Sequence, residues 1–347
     1  MAPAGRCLLR CLAPLFFLLA SGLALPDADA ASARPQAGVT PVTVQSKRIE
    51  RFRIGAGDET AGDRLTFLGG LELLSGNRDM GGLSGLVVTG DGGDLLAVAD
   101  NGLWFQARIV SDPSGRPIAV EEARVAPMRG PDGRPLADTG RGDSEGLTLR
   151  RTADGAELLV STERTPHIYA YPFPPDLGTS GRDIPLPAGI RKLRHNKGME
   201  AIAAANSGPL AGTLVVVGER GATFADDLPG FLIGGPTPGE FTVARQDAYD
   251  ATDAAFLPDG NLLLLERRFT LRHGLGMRLR LFSADELRPG RRAVGEVLLE
   301  AGYTDQIDNM EGLAVHEAVD GATILTVISD DNRSILQRTL LLRFRLD

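Results

Sequence analysis

Five times along the chain a short apolar stretch follows an acidic or small residue, and a second apolar stretch then ends in an acid. The first stretches open at Ser84-Gly85-Leu86, Glu145-Gly146-Leu147, Glu200-Ala201-Ile202, Asp253-Ala254-Ala255 and Glu311-Gly312-Leu313. The second stretches end at Asp100-Asn101, Glu163-Arg164, Glu219-Arg220, Glu266-Arg267 and Asp330-Asp331. The openings recur every ~53 to 61 residues, about the length of a four-stranded propeller blade with long loops.

Hairpin signals sit between the paired stretches. In the second unit Gly146–Leu149 leads through Thr152-Ala153-Asp154-Gly155 to the run 157–161, and 167–173 alternates as a third strand. The fourth unit repeats this around Pro258-Asp259-Gly260-Asn261. The second strands are near-continuous apolar runs, such as 95–99, 214–218 and 324–328. Such runs fit strands buried on both faces, as when blades pack face to face. The last unit has three clear strands, ending in 339–346. The strand-like segment 65–74 lies before the first unit. It is predicted to complete the last blade and close the ring, which removes an exposed sheet edge. The expected fold is all-β, a propeller of five blades. The further strand-like stretch 44–54 leaves six open.

Composition agrees with many short strands joined by turns. The chain has 347 residues, with 43 glycines and 22 prolines. A formal net charge of −8 argues against nucleic acid or an anionic membrane as partner. Cations, neutral molecules and anions bridged by a cation fit better. A monomer is expected.

The first 30 residues read as a cleaved signal peptide. Arg6 and Arg10 form a basic head, residues 11–25 an apolar core, and Ala28-Asp29-Ala30 a small-residue cleavage site. The expected location is the periplasm or the extracellular medium, with no stable membrane insertion after cleavage. Residues 31–43 read as a flexible lead-in and 44–347 as the propeller domain. Both cysteines, Cys7 and Cys11, fall in the leader. Cleavage would leave neither a disulfide nor a thiol nucleophile.

In a blade, the start of the first strand and the end of the second lie at the same end. The acids therefore converge as a carboxylate funnel around the central channel. The candidates are Asp100, Asp143, Glu145, Glu163, Glu200 and Glu219, then Asp253, Glu266, Asp308, Glu311, Asp330 and Asp331. Crowded carboxylates raise one another's pKa unless cations intervene. A hard cation such as Ca²⁺, which takes six to eight oxygens, is one answer. Ion pairing with Arg164, Arg220, Arg267 and Arg333 is the other, and the two are compatible. No Gly-x-Ser-x-Gly elbow is present, and His167, His195, His273 and His316 lack zinc spacing. His195 precedes the third blade's opening and reads as a loop histidine or a funnel residue.

Several of these segments together resemble a known family. They are Gly82-Leu83-Ser84-Gly85-Leu86, Asp143-Ser144-Glu145-Gly146-Leu147, Gly198-Met199-Glu200-Ala201, Leu264-Leu265-Glu266-Arg267-Arg268-Phe269, Asn309-Met310-Glu311-Gly312-Leu313 and Ile328-Ser329-Asp330-Asp331-Asn332. The chain is similar over about residues 60 to 346 to the bacterial phytase-like domain family, whose members carry the description "esterase-like activity of phytase". The resemblance implies a secreted or periplasmic β-propeller. It does not extend residue by residue to the calcium ligands of the better-known propeller phytases.

The expected function is a Ca²⁺-assisted hydrolase of phosphate or other esters. Glu145, Glu200, Glu311 and Asp331 are the first choices for ligand or base. Asp143, Glu145, Glu200, Asp308, Glu311 and Asp330 form the expected metal set. Arg164, Arg220, Arg267 and Lys197 would hold a small anionic or ester substrate. Two alternatives stay open: a non-catalytic propeller that binds a ligand or protein, and a lactonase-like hydrolase with a single metal.

Overall fold

A computed structural model describes residues 38–55, 61–193, 198–223, 225–272 and 274–347. The five predicted units are five sheets whose consecutive strands pair antiparallel. Their inner strands are Leu83–Thr89, Ser144–Thr152, Met199–Ala204, Asp250–Phe256 and Asn309–Glu317, in blades 1 to 5. Each inner strand touches the inner strands of both neighbouring blades, so the ring is closed.

Five buried apolar clusters fill the five seams between blades. The second strands explain this packing. Asp94–Ala99, Gly155–Thr162, Thr213–Gly218, Leu262–Thr270 and Thr323–Asp330 send successive side chains to opposite faces, and both faces meet a neighbour. Leu263 and Leu265 pack towards blade 5, while Leu262 and Leu264 pack towards blade 3. Continuous apolar runs are what such a position requires.

Leu65–Leu74 closes the ring as expected. It pairs with Thr339–Leu346, from Leu65 opposite Leu346 to Leu73 opposite Thr339. The stretch that left a sixth blade open contributes Gln45–Ile49, a fifth strand on the outside of blade 5. The architecture is therefore all-β with five blades. Within the segment read as a lead-in, Thr40–Pro41 pairs with Pro117–Pro127 at the edge of blade 1. Arg292–Ala293 leaves blade 4 to pair in parallel with Gly239–Val243 of blade 3.

Candidate functional site: a two-tier carboxylate funnel

Every inner strand carries an irregularity at the same height. The register shifts fall between Leu83 and Leu86, Ser144 and Leu147, Met199 and Ala201, Ala251 and Asp253, and Met310 and Gly312. A bulge inserts one residue and re-aims its side chain. The inserted residues are Ser84, Glu145, Glu200, Thr252 and Glu311. The residue after each is small in four blades, and the packing shows why. A Cβ on Gly312 would overlap the Ser84 carbonyl, and one on Gly146 would lie 2.7 Å from the Glu200 carbonyl. The acid-Gly-Leu repeat is thus the signature of a bulge pressed against the next blade.

This alignment corrects the sequence reading of blade 4 by one residue. Thr252, not Asp253, is the counterpart of Glu145, Glu200 and Glu311. Asp253 stands where the other blades have Gly or Ala. Its carboxylate is fully buried and accepts amide hydrogens from Ala254 at 2.8 Å, Leu313 at 2.7 Å and Leu86. It therefore ties blade 4 to blades 5 and 1. Burial pushes its pKa well above the usual range, against the three amides that lower it.

The same correction applies to the second tier. At the ends of the second strands, Asp100, Glu163, Glu219 and Asp330 are equivalent, and the blade 4 member is Arg267. Asp330 opposes Asn309, and Arg267 opposes Asp250 in the matching place. Glu266 lies one residue earlier and points into the blade. There it forms a fully buried pair with Arg280, whose Nε donates at 2.7 Å. It takes no part in the funnel. Glu163-Arg164, Glu219-Arg220 and Glu266-Arg267 look alike in sequence but do not occupy like positions.

The two tiers meet unevenly. Asp143, Glu145 and Glu163 bring one oxygen each within 4.8 Å of one another, and so do Glu163, Glu200 and Glu219. Glu163 belongs to both groups. Glu200 is 5% exposed, and Glu145 is partly exposed at the channel. Neither has a hydrogen-bond or ion-pair partner among the described residues. Burial raises the pKa of both well above the usual range. Glu311 and Asp143 add to this at Glu145, and Glu145 and Glu163 at Glu200.

The opposite side of the funnel is neutralised internally. Arg267 lies 3.2 Å from Glu311 and 3.7 Å from Glu219, and donates to Asn309 Oδ1 at 2.7 Å. Despite its burial, the surrounding carboxylates hold its pKa above that of a free guanidinium. Glu311 also accepts from Asn309 Nδ2 at 2.8 Å; burial still leaves its pKa raised.

The remaining predicted residues separate. Asp330 joins the upper tier, and burial pushes its pKa to about 7 although it accepts the Asn332 amide at 2.6 Å. Asp331 is committed to the Gly82 amide at 3.2 Å, the Arg333 amide at 2.9 Å and the Thr339 hydroxyl at 3.1 Å. Asp308 accepts from the amides of Asn309 and Arg338, so it pins the loop before the closing strand. Arg164 pairs with Asp143 at 2.9 Å, and Arg220 Nε donates to Asp250 at 2.6 Å. Arg333 pairs with Asp100. Lys197, His195 and His273 lie outside the described residues. His167 pairs with Asp183 at 3.1 Å near the edge of blade 2. The ligand set ranked first in sequence omitted Glu163 and Glu219. The signal for them was present, because each ends its second strand as Asp330 does.

The channel's other mouth is different in kind. A cavity of about 950 Å³ opens there, with Leu86, Leu147, Ala254, Phe256, Leu313 and Val315 among its lining. His316 lies in its wall. Burial, with nearby Arg343, lowers the histidine's pKa to about 4.

A propeller whose central channel opens into stacked carboxylates is the class that these features define. A family profile described as phytase-like, "esterase-like activity of phytase", matches residues 78–333, and the chain belongs to that family. No curated protein matches the sequence. Among solved structures, it is similar to a Cellvibrio cellulosa α-L-arabinanase complexed with arabinohexaose. The identity is 12%, covering 75% of this chain and 91% of that one, with a TM-score of 0.42. A Trichoderma reesei protein of carbohydrate-active enzyme family AA12, in a calcium structure, is 13% identical. It covers 89% of this chain and 97% of that one, with a TM-score of 0.39. The Aleuria aurantia lectin is 11% identical over 71% of both chains, with a TM-score of 0.40. At these values the likenesses carry no functional argument.

Proposed function

We propose that the protein is a hydrolase of phosphate or other esters that works with a hard divalent cation, Ca²⁺ in the first place, held between blades 2 and 3. One observation carries this reading: Glu145 and Glu200 crowd other carboxylates in a desolvated funnel and form no ion pair within 4 Å among the described residues. Such a group must take up protons or a cation. An all-oxygen donor set suits Ca²⁺ rather than a softer metal. Glu163, common to both triads, would be the central ligand, with Asp143, Glu145, Glu200 and Glu219 around it.

When bound, the cation supplies Lewis acidity and offsets the charge of an anionic substrate. The chain's own residues supply the rest. Arg267 reaches Glu311 and Glu219 from blade 4, so it would orient an anionic or polarised group beside Glu311. Glu145 is partly exposed at the channel, so it would be the ligand nearest an entering substrate. Asp253 ties the inner strands together beneath the tiers, so substrate would enter from the carboxylate end. Export to the periplasm or medium belongs to the same proposal, supported by the leader in residues 1–30.

The test is metal analysis of purified protein with a panel of carboxylic esters and phosphomonoesters, with and without chelator. Bound Ca²⁺ and turnover that chelation abolishes are expected, with Glu200→Gln losing both. Turnover indifferent to chelator would overturn the metal role. Bound metal with no turnover on either panel would overturn the hydrolase and leave a binding propeller.

A further inference from the structure

The central channel is divided by a plug. Asp253, fully buried, accepts the amides of Ala254, Leu313 and Leu86, and these three residues also line the cavity at the far mouth. The carboxylate tiers and that cavity are therefore two compartments. All five blades contribute to the cavity wall, and its volume of about 950 Å³ suits a small molecule. Val87, Leu149, Ala255, Phe256 and Val315, all half-buried, present apolar surface from four of the blades. The charges at the rim offset one another. Asp94 accepts from Arg108 at 3.0 Å, and Arg151 and Glu317 are both exposed to solvent.

One buried charge beside this wall has no counter-ion. Arg343, in the closing strand of blade 5, is 2% exposed. It donates to Ser111 Oγ at 2.9 Å and to the Gly92 carbonyl, both neutral, and its Nε has no partner. It forms no ion pair among the described residues. Asp91 acts on it from an exposed position, where solvent screens the carboxylate. Burial lowers the pKa of Arg343 to about 10, so it stays charged at neutral pH. A buried charge without a counter-ion is unfavourable, and an anion brought close would relieve it. His316 links this group to the cavity. It lines the cavity, its Nε2 packs against Gly92, and its Nδ1 has no hydrogen-bond partner.

We infer that the cavity is a second binding site, for a small amphipathic anion. Its apolar body would lie against Val87, Leu149, Phe256 and Val315, and its carboxylate or sulfonate would sit at the His316 corner, in the field of Arg343. The apolar wall supplies affinity, and the buried guanidinium selects for a negative end. The inference is independent of the hydrolase reading, because the Asp253 plug separates this site from the funnel and binding here needs neither metal nor turnover.

The test is fluorescence titration of the folded protein, in chelator, with two probes: anilinonaphthalene sulfonate, an apolar anion, and Nile red, which is neutral. Wild type is expected to bind both at a single site, the anion more tightly. Ala255→Phe fills the cavity from blade 4 and should weaken both probes by about tenfold or more, the scale of lost apolar contact in a pocket. Val87→Phe fills it from blade 1 and gives the same reading should Ala255→Phe not fold. Arg343→Met, in protein that still melts cooperatively, should weaken the anion by about fivefold, as loss of a charge interaction through protein would, and leave Nile red unchanged. Leu271→Ser, at a fully exposed apolar position outside the cavity, should change neither. Failure of wild type to bind either probe, or binding indifferent to both cavity-filling variants, would overturn the site. Equal weakening of the two probes by Arg343→Met would overturn its preference for an anion.

Discussion

Blade 4 and blades 2 and 3 share a backbone plan, yet they handle charge in opposite ways. Blades 2 and 3 place a glutamate at the bulge and another at the end of the second strand. Blade 4 places Thr252 and Arg267 at those two positions, and turns its own glutamate, Glu266, inward onto Arg280. One side of the funnel therefore carries carboxylates in excess, and the other carries their counter-charge. The same scaffold can store negative charge or neutralise it, depending on two residues per blade.

The largest effect should come from the neutralised side. Glu266→Ala leaves the Arg280 guanidinium buried without its carboxylate. Breaking a buried pair from one partner costs about 3–5 kcal/mol. Chemical denaturation should show a loss of this order, with or without Ca²⁺. A loss under about 1 kcal/mol, the scale of an exposed pair, would mean that Arg280 is satisfied by the Ala244 and Val294 carbonyls alone.

The charged side should respond to pH instead. Asp330, Glu145 and Glu200 all have folded-state pKa values above their ordinary ones. For such groups stability is fully present below the unfolded pKa and is lost as pH rises through the folded value. Without metal, melting temperature should therefore fall as pH rises from about 4 to about 7, the range of Asp330. The Asp330 shift alone sets an upper bound of about 4 kcal/mol. Added Ca²⁺ should flatten the fall. A chelated protein that grows steadily more stable over this range would contradict the crowded, unpaired state of these acids.

Metal should sharpen the contrast between the two sides. Free Ca²⁺ at a hundredfold excess over its dissociation constant stabilises a folded protein by about 2.7 kcal/mol. Glu163→Gln should lose most of that gain, because Glu163 is shared by both triads. Glu311→Gln should lose less, since Arg267 already faces Glu311. Equal losses in a calcium titration of thermal stability would place the cation at the funnel axis rather than between blades 2 and 3.

Much of the fold was legible because burial on both faces forces apolar runs, and a closed ring forces a repeat. The closing strand was legible for the same reason: the last unit lacked an outer strand and 65–74 had no other place. The site was legible only in part. A bulge adds one residue without changing the apolar pattern, so nothing in blade 4 marked Thr252 as the true counterpart of Glu145. Glu-Arg pairs in three units suggested one role for three arginines. The shift of one residue sends Arg267 into the funnel, while Arg220 turns to Asp250 and Arg164 to Asp143. Asp331 and Asp308 fit the same acid pattern in sequence, but backbone amides claim them.

The smallest effect tests that separation. Arg164 is 63% exposed and pairs with Asp143, a member of the blade 2 triad. An exposed pair of this kind is worth about 0–1 kcal/mol, so Arg164→Ala should leave the chelated protein almost as stable as wild type. Its effect on metal should have the opposite sign. Arg164 and a cation compete for the same carboxylate, so removing the guanidinium should tighten Ca²⁺ binding by a few-fold in calorimetry. Arg220→Ala should tighten it less, because Arg220 hydrogen-bonds Asp250, which lies in neither triad, and only reaches Glu219 of the blade 3 triad at 3.6 Å. If both variants weaken Ca²⁺ binding alike, the arginines hold the acidic side in shape rather than compete with its cation. The division between a neutralised blade 4 and a metal-ready blade 2 would then have to be redrawn.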